Sequence, residues 1–317
     1  MNAFTPGSLQ VVTALLAALA FVLALGLAIV RLPPLPAGRA AAWLLVVGAV
    51  LLADRAATAE PAGVRMLAVI ALLLTAMKAV VGVESRTRLS ARRWLAFAAL
   101  WPGMRPSIFR TLPSAPRPGA ARLVALGAAH IVIGVVLVLL GRAVWSTSRS
   151  MLATAALVLP GLSFILHFGL LNLAAGAWRA AGVPADPLFR APLRSTSLEE
   201  FWGRRWNLAF AEMTAVGIYR PVAAVAGRSC GVAAGFLVSG VFHELAISLP
   251  VRAGFGLPLF YFAIQGVAML AERRLQLGSR PWLGRAWTIA WLLLPLPLLF
   301  HPPFLRGVVW PLVGLHP

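Results

Sequence analysis

Long apolar runs alternate with short polar segments along almost the whole chain. A helix needs about 20 apolar residues to cross the hydrocarbon core of a bilayer. The pattern therefore predicts eight membrane-spanning helices, at residues 8–30, 38–53, 65–83, 122–145, 152–178, 230–250, 256–272 and 285–300. A ninth, partial segment at 304–315 is expected to re-enter the membrane or to lie at its surface. The predicted fold class is all-α, a polytopic integral membrane protein with eight or nine spans and additional interfacial helices, built as one membrane-embedded domain over residues 1–317.

Arginine is concentrated in every second gap between the predicted spans. Cytoplasmic loops of membrane proteins carry an excess of Lys and Arg, so the alternation places the N-terminus outside and the rich gaps in the cytoplasm. The first run is long enough to span and follows no basic residue, which favours a transmembrane helix over a cleaved signal peptide. The rich gaps hold Arg31 and Arg39, then Arg86 to Arg117, then Arg179 to Arg228, then Arg273 to Arg280.

Two of the arginine-rich gaps are too long to be plain connectors. The first contains "RRWLAFAALWPGM" at 92–104, a short apolar run flanked by Arg and Trp, which is typical of a helix in the membrane interface. The second contains "SLEEFWGRRWN" at 197–207 and then "NLAFAEMTAVGIYRPVAAVAG" at 207–227. The latter has helical spacing but is interrupted by polar residues and a proline, so we expect an interfacial or re-entrant helix.

The composition agrees with a multi-span membrane protein, since 60% of the 317 residues are hydrophobic and 12% are charged. The formal net charge of +19 raises the question of nucleic acid binding. Nucleic-acid binders concentrate basic residues on a solvated face, whereas here they lie in gaps between spans, so this class is excluded. The single cysteine, Cys230, excludes an intramolecular disulfide and a thiolate metal cluster.

Ionisable and polar groups inside predicted spans are costly and are functional candidates by default. Lys78 lies near the cytoplasmic end of the third span, and we expect it to snorkel to the surface. His130, among Ala and Gly, is interpreted as a packed, hydrogen-bonded histidine. His167 and Asn172 lie in mid-span, where they either line a cavity or pack against neighbouring helices.

The strongest candidate is "VSGVFHELAIS" at 238–248, which places His243 and Glu244 well inside an apolar span. Ser239 precedes the histidine by one helical turn and lies on the same face. One alternative is that His243 and Glu244 only bond to neighbouring helices. A zinc site is not indicated, because the second histidine of a metalloprotease helix is missing. The sequence contains no GxSxG nucleophile elbow and no GxGxxG nucleotide loop.

On a helical wheel, "SLEEFWGRRWN" separates into two sides. Its aromatic side contains Phe201, Trp202 and Trp206, together with Arg205, and its other side ends at Asn207. We therefore expect a helix that lies on the membrane with the aromatics inward and its polar side facing a chamber. The alternative is an ordinary interfacial helix, with Trp at the headgroups, Arg at phosphates and an incidental Asn.

"FWGRRWN" followed by an intramembrane "HE" resembles the membrane-bound O-acyltransferase superfamily, and specifically its wax-synthase branch. The resemblance is most detailed over residues 162–274, where "SLEEFWGRRWN", "SGVFHEL" and "QGVAMLAERR" occur in family order; "LWPGM" at 100–104 is similar too. It implies that Asn207 and His243 are catalytic and face each other in a tunnel through the membrane. It also implies acyl transfer from acyl-CoA to a long-chain alcohol, with no metal and no cofactor beyond this co-substrate.

The residue chemistry agrees with the resemblance. A neutral imidazole can take the proton of an alcohol that attacks a thioester, and a nearby amide can donate to the developing oxyanion. Arg204 and Arg205 are expected to bind the phosphates of CoA. The predicted substrate-binding set is completed by Trp202, Trp206, Ser239 and Glu244, although Glu244 is also expected to brace a neighbouring helix.

Two further interpretations remain open from the sequence. The first is the same chemistry on another hydroxyl acceptor, such as diacylglycerol, a sterol-like alcohol or a specialised metabolite. The second is a proton-coupled transporter with His243 and Glu244 as a relay. A transporter predicts inverted repeats and paired broken helices, and neither is detected. We expect a multi-pass membrane protein that is located in the bacterial inner membrane.

Overall fold

The computed structural model describes residues 3–32, 36–111, 115–275 and 280–315, and these form helices and connecting loops without strands. Two short 3₁₀ turns, Pro106–Phe109 and Pro192–Arg194, lie in the long loops. The helices are α1 Leu9–Arg31, α2 Ala37–Ala56, α3 Ala62–Glu84, α4 Ala91–Leu100, α5 Ala120–Ser148, α6 Met151–Ala180, α7 at 198–205, α8 Leu208–Ala226, α9 Arg228–Val251, α10 Leu257–Leu275, α11 Pro281–Leu299 and α12 at 302–312.

Eight helices in the described part of the chain are long and apolar enough to cross a membrane. Helices α1, α2, α3, α5, α6, α9 and α11 coincide with predicted spans. The eighth is α8, for which the sequence predicts an interfacial or re-entrant helix. The predicted span at 256–272 does form the helix α10, but α10 is not among the eight, because its 19 residues end in Glu272, Arg273 and Arg274.

The first half of the fold packs α1, α2 and α3 together, with α4 laid across them. The buried indole of Trp94 on α4 sits between α1 and α3, where a methyl group at Gly26 would lie 3.1 Å from it. Its Nε1 donates to the carbonyl oxygen of Leu23 at 3.1 Å. The short Arg/Trp-flanked segment is thus a helix, as predicted, and is tied to two spans.

Helices α5 and α6 approach each other through glycine. A methyl group at Gly134 would lie 2.5 Å from the carbonyl oxygen of Gly161, and one at Gly161 would lie 2.9 Å from that of Gly134. Small residues allow transmembrane backbones this close together. The contact fixes α6, which carries His167 in a π-helical segment at Phe164–Leu170.

Helices α8 and α9 form an antiparallel hairpin that turns at Gly227, whose φ of 86° favours glycine. Gly231 of α9 faces Tyr219 of α8, and further from the turn the ring of Phe210 lies 6.0 Å from that of His243. The first turn of α8 therefore lies beside the turn of α9 that carries the histidine.

The segment after α11, which is predicted to re-enter or to lie at the surface, forms the helix α12, and one side of this helix is buried in the protein. His301 before this helix is fully buried. Its Nδ1 accepts the N–H of Phe304 at 3.3 Å, which leaves the proton on Nε2 facing the hydroxyl of Ser248 at 3.3 Å. The histidine thereby joins α12 to the end of α9.

Lys78 does not snorkel, and this prediction is wrong. Its side chain is 2% exposed and its Nζ donates to the carbonyl oxygens of Trp101 and Gly103. The loop after α4 folds back over α3 and supplies these acceptors inside the protein.

Candidate functional site

Helix α7 begins with a cap and ends before the asparagine. The Ser197 hydroxyl accepts the N–H of Glu200 at 2.9 Å, and the next residues, Phe201–Arg205, form a π-helical turn. Trp206 is extended, so the helix expected from the wheel stops one residue before it. The helix ends because the backbone here bonds to a neighbouring segment instead of continuing the helical pattern. The carbonyl oxygen of Arg205 accepts the N–H of Arg190 at 2.8 Å, and the N–H of Leu208 donates to the carbonyl oxygen of Leu188 at 2.9 Å.

Helix α10 holds α7 from one side. Gln265 accepts the Nε1 proton of Trp202 at 3.3 Å, and Glu272 accepts the backbone N–H of Leu198 at 2.7 Å. One residue further, Arg273 pairs with Glu199 at 3.1 Å. The "QGVAMLAERR" segment, to which the sequence assigns no role of its own, therefore positions the motif helix.

The aromatic side chains of the motif pack within the protein. Phe201 is buried and stacks on Trp206 with ring centroids 5.4 Å apart, and Trp206 in turn contacts Phe189 at 4.9 Å. Trp202 contacts Phe262 of α10 at 5.5 Å. The sequence predicts that these aromatics face the membrane, whereas the rings named here pack against other parts of this chain.

The two adjacent arginines differ in their surroundings. Arg205 pairs with Glu200 at 2.6 Å and also donates to the carbonyl oxygen of Arg190 at 3.3 Å. The Thr196 N–H, aided by Arg205, holds the pKa of Glu200 below its usual value. Arg204 is exposed and forms no ion pair with any acid in the described residues. Of the two predicted phosphate-binding residues, only Arg204 has an uncommitted guanidinium.

Asn207 is the N-cap of α8. Its φ of 44° and ψ of 63° lie in the left-handed region, which asparagine tolerates better than most residues. Its Oδ1 accepts the N–H of Phe210 at 3.2 Å. This bond assigns the oxygen of the amide to the helix and leaves the Nδ2 protons as donors that point elsewhere.

His243 is half-buried at the end of the regular part of α9, where a π-helical segment, Glu244–Ser248, begins. Its Nδ1 lies 2.7 Å from the carbonyl oxygen of Ser239. Because a carbonyl can only accept, Nδ1 carries the proton and Nε2 has the free lone pair. Phe262 covers one face of the ring at 4.2 Å. The arrangement presents an imidazole base in an aromatic environment.

Ser239 and Glu244 take part mainly in the structure of the helices. The buried Ser239 hydroxyl donates to the carbonyl oxygen of Gly235 at 2.7 Å, so this residue meets His243 through its backbone. Glu244 Oε1 accepts the N–H of Leu259 in the first turn of α10 at 3.0 Å, which is the bracing contact expected of it. Its Oε2 is buried and has no hydrogen-bond partner in the described residues.

The hairpin places both predicted catalytic residues in contact with Phe210. Asn207 caps the turn of α8 that carries Phe210, and Phe210 contacts both Phe242 and His243, at 6.1 and 6.0 Å. An amide donor and an imidazole base thus border the same aromatic cluster. The arrangement can deprotonate a hydroxyl and donate to an oxygen nearby.

The other polar residues predicted inside spans, His130, His167 and Asn172, differ in how close they lie to the motif. His130 packs between Phe164 and Phe168, as predicted, but its Nδ1 has no partner in the described residues. His167 bonds to Ser163 at 2.9 Å, stacks on Phe189 and contacts Trp206 at 5.4 Å. His167 therefore lies next to Trp206 of the "FWGRRWN" motif, whereas Asn172 is buried about one helical turn beyond His167.

One family model matches the part of the chain that contains α7, α8 and α9. The matched segment, residues 185–262, corresponds to the membrane bound O-acyl transferase family and contains every predicted catalytic and substrate-binding residue. The predicted resemblance is confirmed. Together with the eight apolar helices, it supports a multi-pass membrane protein.

Curated relatives carry the names expected for the wax-synthase branch. Probable long-chain-alcohol O-fatty-acyltransferase 9 of Arabidopsis thaliana is 34% identical over 146 residues, which cover 40% of this chain and 42% of that protein. The long-chain-alcohol O-fatty-acyltransferase of Simmondsia chinensis is 32% identical over 124 residues, which cover 34% of this chain and 35% of that protein. The matches thus span less than half of these relatives. Both are plant proteins, so they do not support the expected bacterial inner membrane.

Proposed function

We propose that this protein is an acyl-CoA-dependent O-acyltransferase that esterifies a long-chain alcohol. The observation that carries the proposal is the hydrogen bond between His243 Nδ1 and the Ser239 carbonyl, which leaves Nε2 with a free lone pair to act as the base. The Asn207 amide, which caps α8, bonds to Phe210, the residue whose ring contacts this histidine. The names of the relatives point to the same reaction class.

The proposed reaction uses two side chains. His243 Nε2 takes the hydroxyl proton as the alcohol oxygen attacks the thioester carbonyl carbon. Asn207 Nδ2 donates to the carbonyl oxygen as it gains negative charge. When the carbon–sulfur bond breaks, the thiolate of CoA leaves and takes the proton back from the imidazolium. The products are the ester and free CoA, and the histidine returns to its starting state.

The proposed binding of acyl-CoA, and the proposed side of the membrane, follow from the charge and polarity of the residues. Arg204 is the exposed cation of the motif, and a guanidinium binds the phosphates of CoA through paired hydrogen bonds. The aromatic cluster around Phe210 and Phe262 suits the acyl chain, which is apolar. We place the reaction at the cytoplasmic side, following the arginine distribution, and we retain the bacterial inner membrane as part of the proposal.

The test is ester formation in membranes from labelled acyl-CoA and a long-chain alcohol. The His243→Ala protein should lose about 10²–10⁴-fold in rate, as expected for removal of a positioned base. Val241→Ala is the matched control, because Val241 lies on the same helix and its side chain is exposed on the outside of the protein. Near wild-type synthesis by His243→Ala would contradict the mechanism. Parallel reactions with diacylglycerol or a sterol decide the acceptor, since esterification of only these would retain the chemistry and replace the long-chain alcohol.

A further inference from the structure

Lys78 is the only lysine of the chain, and it lies inside the span α3. Its Nζ donates to the carbonyl oxygens of Trp101 and Gly103, at 2.7 and 2.6 Å, and lies 4.2 Å from the ring centroid of Phe97. Burying an amine this completely is costly, and these contacts offset the cost only while the loop stays in place. The lysine and the loop after α4 therefore fix each other.

The same loop contacts α8 on its other side. Arg105 forms an ion pair with Glu212 on α8. The loop also lines a small cleft together with Leu208, the residue that follows Asn207. Residues 101–105 thus lie between the buried lysine and the first turns of the helix that Asn207 caps.

The loop is compact enough to transmit a displacement. Trp101 and Met104 are buried, and the indole of Trp101 is folded against Gly103, where an added methyl group would collide with its Nε1. Packed segments shift as units because their interiors have little free volume. A change at Lys78 should therefore reach Arg105.

We propose that Lys78 is a positioning residue of the acyl transfer, which fixes the start of α8, and hence Asn207, through residues 101–105. The inference rests on the proposed function, because Asn207 must act in the reaction for its position to affect the rate. Lys78 contacts neither the motif nor His243, and nothing in the local sequence relates it to the site.

The Lys78→Met protein retains the volume of the side chain and loses both hydrogen bonds. A misplacement of about 1 Å at a reacting group costs about 10²-fold in rate, so kcat should fall by about 10–100-fold. The Michaelis constants should change much less, because Lys78 touches no substrate. Met77→Ala is the matched control: Met77 is the neighbouring buried residue of α3, and truncating it disturbs the packing of the helix without breaking the bonds to the loop.

A double-mutant cycle between Lys78→Met and Glu212→Gln tests the transmission. The two residues lie on opposite sides of the loop and share no hydrogen bond. If both act through residues 101–105, the double variant should be no slower than Lys78→Met alone. Multiplicative effects would overturn the inference, as would an equal loss of kcat in Met77→Ala.

A second double-mutant cycle applies if the Lys78→Met protein does not accumulate in the membrane. Gly103→Ala displaces residues 101–105 because the added methyl group collides with the indole of Trp101. Its effect on kcat should also be non-multiplicative with that of Glu212→Gln. Multiplicative effects there would again overturn the inference. Absence of ester synthesis by the wild-type protein is a different result, since it contradicts the proposed function itself.

Discussion

The carboxylate of Glu272 near the end of α10 accepts the backbone N–H of Leu198, the first residue of α7, at 2.7 Å. The two residues are far apart in sequence, and their bond sets where the motif helix begins. Gln265 adds a second bond to the same helix through Trp202. The position of the "FWGRRWN" motif therefore depends on a helix that contributes neither predicted catalytic side chain.

Replacing Glu272 with Ala should destabilise the protein and lower ester synthesis. The change leaves a buried N–H without an acceptor, which costs about 1–3 kcal/mol. Arg273→Gln is the control, because its pair with Glu199 is exposed and such pairs contribute about 1 kcal/mol or less. Thermal unfolding in detergent gives the comparison. Equal losses in the two variants would show that the Glu272 bond has no special role.

Arg204→Gln and Arg205→Gln should have different effects. Arg204 is exposed, so its loss should raise the Michaelis constant for acyl-CoA and leave the melting temperature unchanged. Arg205→Gln should lower the melting temperature, because it breaks the pair with Glu200 and the bond to the Arg190 carbonyl. Steady-state kinetics and thermal unfolding of both variants provide the check. A raised Michaelis constant in Arg205→Gln alone would reverse the assignment.

Asn207→Asp separates the capping of α8 by the asparagine from its proposed donation to the oxyanion. A carboxylate can still accept the Phe210 N–H and cap α8, but it cannot donate to an oxyanion. We expect a stable protein with kcat reduced by about 10²–10³-fold, the usual loss when one oxyanion donor is removed. Asn207→Ala should show the same loss of rate together with a loss of about 1 kcal/mol in stability. If Asn207→Asp retains full activity, the amide is only a cap.

Acidification should weaken the attachment of α12. Burial lowers the pKa of His301 below its usual 6.5. The unfolded state then binds a proton before the folded state does, so this contribution to stability is present above pH 6.5 and is lost as the pH falls below it. The melting temperature of the wild type should therefore drop more between pH 8 and pH 5.5 than that of His301→Asn. Equal decreases in melting temperature in the two proteins would show that protonation of His301 does not cause the acid sensitivity.

Labelling of cysteine tests the orientation. Arg204 is exposed at the end of α7, in an arginine-rich gap that the sequence places in the cytoplasm. In the Arg204→Cys protein, made together with Cys230→Ser, an impermeant thiol reagent should label residue 204 in opened membranes and not in intact cells. Cys230 of the wild type lies at the other end of α8, so its labelling from outside is expected if α8 crosses the membrane. Labelling of residue 204 from outside would reverse the orientation and exclude direct use of cytoplasmic acyl-CoA.

The hydrophobic pattern predicts most of the architecture, because each span must be apolar along its length whatever its neighbours. It is less informative for α8 and α10. Glu212 interrupts the apolar pattern of α8, and its ion-pair partner Arg105 comes from a distant loop. The charges at the end of α10 bind α7. Neither pairing can be derived from the local pattern.

The candidate site was partly predictable for the same reason. A histidine and an asparagine in apolar surroundings are visible in the sequence, and the hairpin places both in contact with Phe210. The positions of Lys78 and His301 are not visible, because their partners are backbone carbonyls and a hydroxyl supplied by folding. Backbone acceptors leave no signature in the residue types around them.

The hairpin at Gly227 also fixes the number of residues between Asn207 and His243. One residue inserted into α8 or α9, or deleted from either helix, would rotate the part of that helix beyond it by about 100°. That rotation would turn one of the two motifs away from the other. Such a change is absorbed only if a turn takes up the extra residue, as the π-helical turn Ala215–Tyr219 of α8 can do. Related chains should therefore differ in length outside this interval, or inside it only at the glycine and at π-helical turns.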